Sequence, residues 1–363
     1  MEATAAVLEK FGQPLAIRVF EIFPLREGEI LARLEAIGIC SSDVYMWRGK
    51  DPRTPLPIIL GHEGVGTIEE IYGKKTDILG RDLTVGDRII WDRGITCGLC
   101  YYCAIRKEPS LCPNRQVYGI SFSCQDPPYP RGCYANYIHL SSNTKILRLD
   151  EDVDPVTLVS ASCSGATAAH TIELCKIKEG DRVVIQGPGP LGIFSLAFAL
   201  SRGASVVVIG TGRGKERLRL CTEFGARETL NTADSIPEER RHRVMELTDG
   251  LGADVVINCT SSPEALKEGI TYLSRGGTYA LPGLAIPVGP VSLDLYHDVV
   301  SKNIRIQGVW VNDTSHLYQA VNLILNNRYP FEKLVTHEIP LHDASKALEI
   351  VEGRKAVKAV MRP

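Results

Sequence analysis

The sequence predicts an α/β protein with a mostly β second domain, and three observations carry that expectation. The chain has 363 residues, too many for one ordinary hydrophobic core, so two domains are the default. Its first part, up to about residue 150, is rich in Gly, Pro and short β-like runs, the texture of an irregular, mostly antiparallel β domain. From about Val156 onward, helical stretches alternate with short continuous apolar runs, the texture of a parallel sheet built from βαβ units.

Taken in order, EILARLEAIGI (29–39), GVGTIEEI (64–71) and DRIIW (87–91) read as strands, separated by turn signals at Pro55, Pro57 and Gly86–Asp87. RVVIQG (182–187), SVVVIG (205–210), DVVINC (254–259) and GTYALPG (277–283) have the length and Val/Ile content of strands buried on both faces. SHLYQAVNLILNN (315–327) and ASKALEIVEG (344–353) carry helical patterns, and AVKAVMR (356–362) reads as a strand. The chain shows neither an internal repeat nor a low-complexity segment.

Composition excludes several function classes. Hydrophobic content of 44%, charged content of 23% and a net charge of −2 without a basic block are those of a soluble globular protein. They argue against nucleic acid or an anionic membrane surface as partner. The opening MEATAAVLEKFGQPL lacks the basic flank and apolar core of a signal peptide, and no apolar run approaches the ~20 residues that span a bilayer. Eleven cysteines in such a chain fit a reducing cytoplasm.

Four of those cysteines, Cys97, Cys100, Cys103 and Cys112, follow the pattern C-x2-C-x2-C-x8-C. Four thiolates on one short loop suit a single tetrahedral Zn2+. With every position filled by protein, such a site holds structure and leaves no room for substrate. Pro109, Pro113 and Gly98 predict an irregular lobe, about residues 93–115, rather than a helix.

Directly after RVVIQ stands Gly187-Pro188-Gly189-Pro190-Leu191-Gly192, followed by the apolar run IFSLAFALSRGA. This is G-x-G-x-x-G between a strand and a helix, the setting a dinucleotide site requires. The first glycine permits the turn, the second admits a pyrophosphate, and the third lets helix pack on strand. An acid to hold the ribose hydroxyls of NAD is expected at the end of the next strand, but SVVVIG runs into Thr211-Gly212-Arg213. Arg213 could meet the 2′-phosphate of NADP, or Thr211 and backbone could suffice for NAD.

Three scattered positions complete the chemistry. Cys40 stands in GIC-SSD, His62 and Glu63 in GHEGVG, and Cys163 in ASCSGATAAH. Two thiolates and an imidazole would leave a fourth zinc position open, as a catalytic site needs. Each residue alone has a plainer reading, as a buried small hydrophobe or a satisfied histidine.

With GIC-SSD, GHEGVG, the four-cysteine lobe, Cys163-x-x-x-Thr167 and the GPGPLG turn in one order, the chain resembles the zinc-containing medium-chain dehydrogenases. The resemblance implies a GroES-like catalytic domain (1–164), a Rossmann NAD(P)-binding domain with a doubly wound parallel sheet (165–312), and a return to the catalytic domain (313–363). It implies two zinc ions per chain, one structural and one catalytic. It assigns the catalytic zinc to Cys40, His62 and Cys163, with Glu63 as an alternate ligand and Asp43 orienting the imidazole. Ser42 matches the hydroxyl that relays the substrate proton, and Lys358 matches a basic residue near the pyrophosphate. Thr167 joins Gly187, Gly189, Pro190, Leu191 and Gly192 on the cofactor side. The implied reaction interconverts an alcohol, a secondary alcohol or polyol, with its ketone or aldehyde by hydride transfer to NAD or NADP. It also implies a homodimer or homotetramer formed through the cofactor domain, with GTYALPG and the segment after it at the edge.

The chain departs from that pattern in places. Tyr45 stands where polyol- and alcohol-active relatives have a histidine ending the proton relay, and Cys133 where a glycine is usual. Trp47, Trp91, Tyr118 and Trp310 are candidate pocket walls, with packing in the core as the alternative. Cys124, Cys133, Cys175, Cys221 and Cys259 read as packing residues, as does His170, while His297 could line the cofactor cleft or a dimer surface. The alternative function is a zinc-stabilised, nucleotide-binding structural or redox-sensing protein without turnover.

Overall fold

The computed structural model describes residues 1–150, 152–211 and 215–363, so the expectation placed on Arg213 lies outside the described residues. The chain divides into two compact units. One comprises Met1–Ala166, Asp313–Asn326 and Leu334–Pro363; the other comprises Thr167–Asn312 and Asn327–Lys333.

The first unit is built around the strand Ile30–Ile39, whose Ile, Leu and Ala residues are almost all buried. It pairs antiparallel with Glu63–Ile71 on one side. On the other, Tyr137–Leu140 covers its first half and Lys358–Arg362 its last residues. Arg88–Trp91 and Ile146–Arg148 extend the sheet beyond Glu63–Ile71, and Val335–Pro340 lies parallel to Lys358–Arg362. In this register Gly38 faces Glu63 and Ile39 faces Ala359, so Cys40, Glu63 and Lys358 arrive together at one end of the sheet. A second sheet joins Ala16–Glu21, Glu2–Leu8 and Ile58–Ile59. The alanine-rich EATAAVL carries little strand propensity, and its pairing comes from tertiary context.

The four-cysteine lobe is closed at its base by Gly94–Ile95 pairing with Gln116–Val117. Within it the chain is more regular than its prolines and glycine predict. A wide helical turn, Tyr101–Ile105, and a tight one, Pro109–Leu111, are wound between the cysteines. Proline is tolerated at the first position of such a turn because its missing N–H would be unpaired there anyway.

The second unit holds a six-stranded, all-parallel sheet in the order Glu228–Asn231, Ser205–Gly210, Arg182–Gln186, Ala253–Asn258, Leu273–Leu281, Arg305–Gly308. The order reverses between the strands Arg182–Gln186 and Ala253–Asn258, which is the doubly wound topology with its switch point there. Helices Pro190–Ser201, Lys215–Phe224, Pro237–Leu247 and Pro263–Gly269 connect the strands. The GTYALPG strand is not an edge, contrary to the sequence reading. The strand Arg305–Gly308, too polar to show as an apolar run, pairs beside it and takes that place. Among the described residues, no helix is long and apolar enough to cross a membrane.

Candidate active site

Three chain segments deliver one cluster in the first unit. Cys40 follows the central strand and caps the helix Ser41–Trp47, its extended backbone (φ −106, ψ 156) turning the chain into the helix. His62 precedes, and Glu63 begins, the strand Glu63–Ile71. Cys163 lies between the short turn Val159–Ser162 and the helix Ser164–Cys175. The ligand atoms of Cys40, His62, Glu63 and Cys163 all lie within 4.8 Å of one another. Gly38 makes this possible, because a Cβ there would stand 2.3 Å from Glu63 Oε2.

The electrostatics of the cluster ask for a cation. The Cys163 thiol beside it pushes Cys40 well below its ordinary value, and the same contact pushes Cys163 well above, so the two sulfurs share a proton. Burial disfavours a charged imidazole, yet Asp43 and Cys40 outweigh burial and raise His62 to about 9. His62 Nε2 is buried and has no hydrogen-bond partner among the described residues, and neither has Glu63 Oε1. Two thiols, an orphaned imidazole nitrogen and a carboxylate oxygen form a donor set that suits Zn2+.

The surrounding residues hold this set in place. Asp43 Oδ2 accepts the Cys40 N–H at 2.8 Å, and Oδ1 lies 3.3 Å from His62 Nδ1, both side chains fully buried. Ser42 is half-buried, with its hydroxyl 3.7 Å from Cys40 Sγ. Tyr45 is half-buried on the same short helix. Lys358 Nζ pairs with Glu63 Oε2 at 2.5 Å inside the first unit, with the two side chains 2% and 0% exposed. Its charge therefore balances the carboxylate beside the cluster. Sequence reasoning also missed Arg93, a buried arginine whose charge is felt at Cys163, Cys40, Asp92 and Glu63. Position next to a strand end was its only signal.

In the lobe, the sulfurs of Cys97, Cys100, Cys103 and Cys112 likewise lie within 4.8 Å of one another, and all four thiols are free. The Cys97 and Cys112 sulfurs are 3.6 Å apart. Zn–S bonds of ~2.3 Å arranged tetrahedrally put sulfurs about 3.8 Å apart, so the spacing fits the ion. Backbone N–H groups of Leu99 and Cys100 draw the Cys97 thiol down to about 6, preparing a thiolate.

In the second unit, the glycine turn has the shape its sequence requires. Gly187 takes φ +100, a region open to glycine, and a Cβ at Gly192 would stand 2.0 Å from the Gly187 carbonyl oxygen. A Cβ at Gly189 would meet nothing within 4 Å, so the space before the helix Pro190–Ser201 is open where a phosphate would approach. Pro190 and Leu191 form the first turn of that helix, whose free N–H groups and dipole favour an anion. Thr211 is exposed just past the strand Ser205–Gly210, and Thr167 is buried with its carbonyl accepting the Thr171 hydroxyl.

The remaining candidates divide between core and surface. Trp47, Trp91 and Tyr118 are buried while Trp310 is exposed, and Tyr118 bonds Thr144 at 2.6 Å through its hydroxyl. His170 Nδ1 pairs with the Val311 carbonyl, and exposed His297 pairs with Asp294. Cys124, Cys133 and Cys221 are buried.

Two family models match the chain, one described as the alcohol dehydrogenase GroES-like domain over residues 26–151 and one as zinc-binding dehydrogenase over residues 190–326. The 5-exo-hydroxycamphor dehydrogenase of Pseudomonas putida is 33% identical over 346 residues, 94% of this chain and 93% of that protein. The crystal structure of an alcohol dehydrogenase from Thermotoga maritima superposes with a TM-score of 0.96 at 47% identity, covering 100% of both chains. A protein from Sinorhizobium meliloti 1021, assigned as a zinc-binding dehydrogenase and bound to NADP, superposes at 0.85 with 26% identity, again covering 100% of both.

Proposed function

The chain belongs to the zinc-dependent medium-chain dehydrogenase/reductase superfamily, and on that premise we propose that Cys40, His62 and Cys163 hold its catalytic zinc. It is a zinc-dependent alcohol dehydrogenase that interconverts an alcohol with its ketone or aldehyde, using NAD or NADP. The convergence of two thiols, an imidazole and a carboxylate within 4.8 Å carries the site assignment. Zinc held by these residues would supply a Lewis acid toward the alcohol oxygen, and a bound dinucleotide would supply the hydride acceptor.

The protein's own residues do the rest. Ser42, beside Cys40, takes the hydroxyl proton and passes it outward. Asp43, with Oδ1 3.3 Å from His62 Nδ1, sets the orientation of the imidazole. Lys358 holds Glu63 by one oxygen, leaving Oε1 as the alternate ligand atom. Cys97, Cys100, Cys103 and Cys112 bind the second, structural zinc. Gly187, Gly189, Pro190, Leu191 and Gly192, with Thr167 and Thr211, bind the dinucleotide. The lack of an acid after Ser205–Gly210, with Arg213 following, supports NADP, and the NADP-bound relative agrees with that reading.

A secondary alcohol or polyol is the substrate class. The name of the camphor-alcohol relative supports it, as does that of a Halalkalibacterium halodurans sorbitol dehydrogenase, 29% identical over 92% of both chains. The protein works in the cytoplasm, where its eleven cysteines stay reduced. It forms a homodimer or homotetramer, and the edge strand Arg305–Gly308, with exposed Leu295, Tyr296, Val300 and Ile306 nearby, supports assembly of the cofactor units. Metal analysis of the purified protein should return two zinc ions per chain, one for each cluster. Alcohols and ketones supplied with each cofactor should change the absorbance of reduced nicotinamide. One zinc per chain together with no turnover on any of them would sink the proposal.

A further inference from the structure

The chain of support behind His62 does not stop at Asp43. Of that carboxylate's two oxygens, Oδ2 is committed to the Cys40 N–H, and Oδ1 lies 3.3 Å from His62 Nδ1 with no hydrogen-bond partner among the described residues. Tyr134 approaches from a separate segment that is pinned to the residues just before the histidine. The Tyr134 N–H donates to the Leu60 carbonyl at 2.9 Å, and the Cys133 N–H donates to the Gly61 carbonyl at 2.8 Å. The ring then packs against Gly61, where an added Cβ would stand 2.3 Å from Tyr134 Cδ1. Gly61 immediately precedes His62, so its bare backbone is what admits the ring.

Tyr134 is fully buried, and its hydroxyl is also without a hydrogen-bond partner among the described residues. Burial is the largest influence on that phenol, and Asp43 is the charge that weighs on it most. Two orphaned polar atoms, one a donor and one an anionic acceptor, thus share one dry compartment behind the zinc ligand. A buried hydroxyl left unpaired is costly, and one facing a carboxylate makes a strong, charge-assisted bond. We propose that Tyr134 is a positioning residue of the zinc site, donating its hydroxyl to Asp43 Oδ1 and so fixing the carboxylate that orients His62. Phenylalanine would fill the same space and leave Asp43 free to turn.

The proposal rests on the assignment of His62 and Cys163 to zinc, and the experiment separates the two. The probe is zinc release to a chelator from the full-length, zinc-loaded protein, in the parent, Tyr134→Phe and Cys163→Ala. Removing a hydrogen-bond partner outside the ligands typically weakens metal binding 10–100-fold. Tyr134→Phe should accordingly release one zinc about ten-fold faster, keep the lobe zinc at the parental rate and lose kcat with little change in KM. After cobalt exchange, its visible absorption should shift as the histidine ligand loses its fixed orientation. A phenol that merely packs predicts the opposite, because deleting an unpaired buried hydroxyl is neutral or stabilising. Parental release and kcat in Tyr134→Phe, or equal loosening of both zinc ions, would overturn the proposal. If Cys163→Ala itself retains both zinc ions, the zinc assignment fails, and the role of Tyr134 falls with it.

Discussion

Turnover in Cys163→Ala should fall by about a thousand-fold or more, because a Lewis acid contributing several kcal/mol to the barrier is lost. His62→Ala should behave alike. The two residues come from segments about a hundred positions apart, but both point a ligand atom into the same 4.8 Å cluster. Dinucleotide binding should survive, since the glycine turn belongs to the other compact unit. Steady-state rates with the best alcohol, set beside a fluorescence titration with reduced nicotinamide, check both halves. A variant that keeps parental kcat would remove Cys163 from the chemistry.

The second large effect concerns stability. Lys358 and Glu63 form an ion pair with both side chains essentially unexposed. Removing one member of such a pair leaves the other charge buried and uncompensated, at a cost of about 3–5 kcal/mol. Lys358→Met should therefore lower the denaturant midpoint of the zinc-loaded protein markedly, since whole domains are stable by only about 5–15 kcal/mol. Neutralising the orphaned acid as well, in Lys358→Met/Glu63→Gln, should recover much of the loss. Far-UV circular dichroism through a urea gradient reads all three proteins. A single variant that unfolds with the parent would show that solvent, and not Lys358, balances the carboxylate.

The architecture could be read from the chain because its signals are local. Continuous Val/Ile runs mark strands buried on both faces, and GPGPLG between strand and helix marks the turn. What escaped was decided by partners distant in sequence. Arg305–Gly308 has four residues and no apolar run, and it is a strand only because Leu273–Leu281 offers it an edge. Lys358 has a family counterpart near the pyrophosphate, but its ion pair with Glu63 emerges only when the sheet register sets the two side by side. Tyr134 carries no sequence signal at all, since an aromatic in a β segment reads as core, and only the position of Asp43 gives its hydroxyl a meaning. Trp47 and Trp91, whose bulk suits either a pocket wall or a core, are both buried.

The Lys358–Glu63 contact spans 295 positions of the chain, and between its ends lies the entire stretch Thr167–Asn312. During synthesis the two halves of this contact are therefore born far apart in time. Cys40, His62 and Cys163 emerge early, and any metal they meet then is held without the ammonium that will balance Glu63. The nucleotide unit, whose sheet strands Arg182–Gln186 through Arg305–Gly308 are contiguous in sequence, has every partner it needs before Lys358 exists. The order of synthesis thus lets the inserted unit complete its sheet before the returning strand supplies the ammonium that balances Glu63.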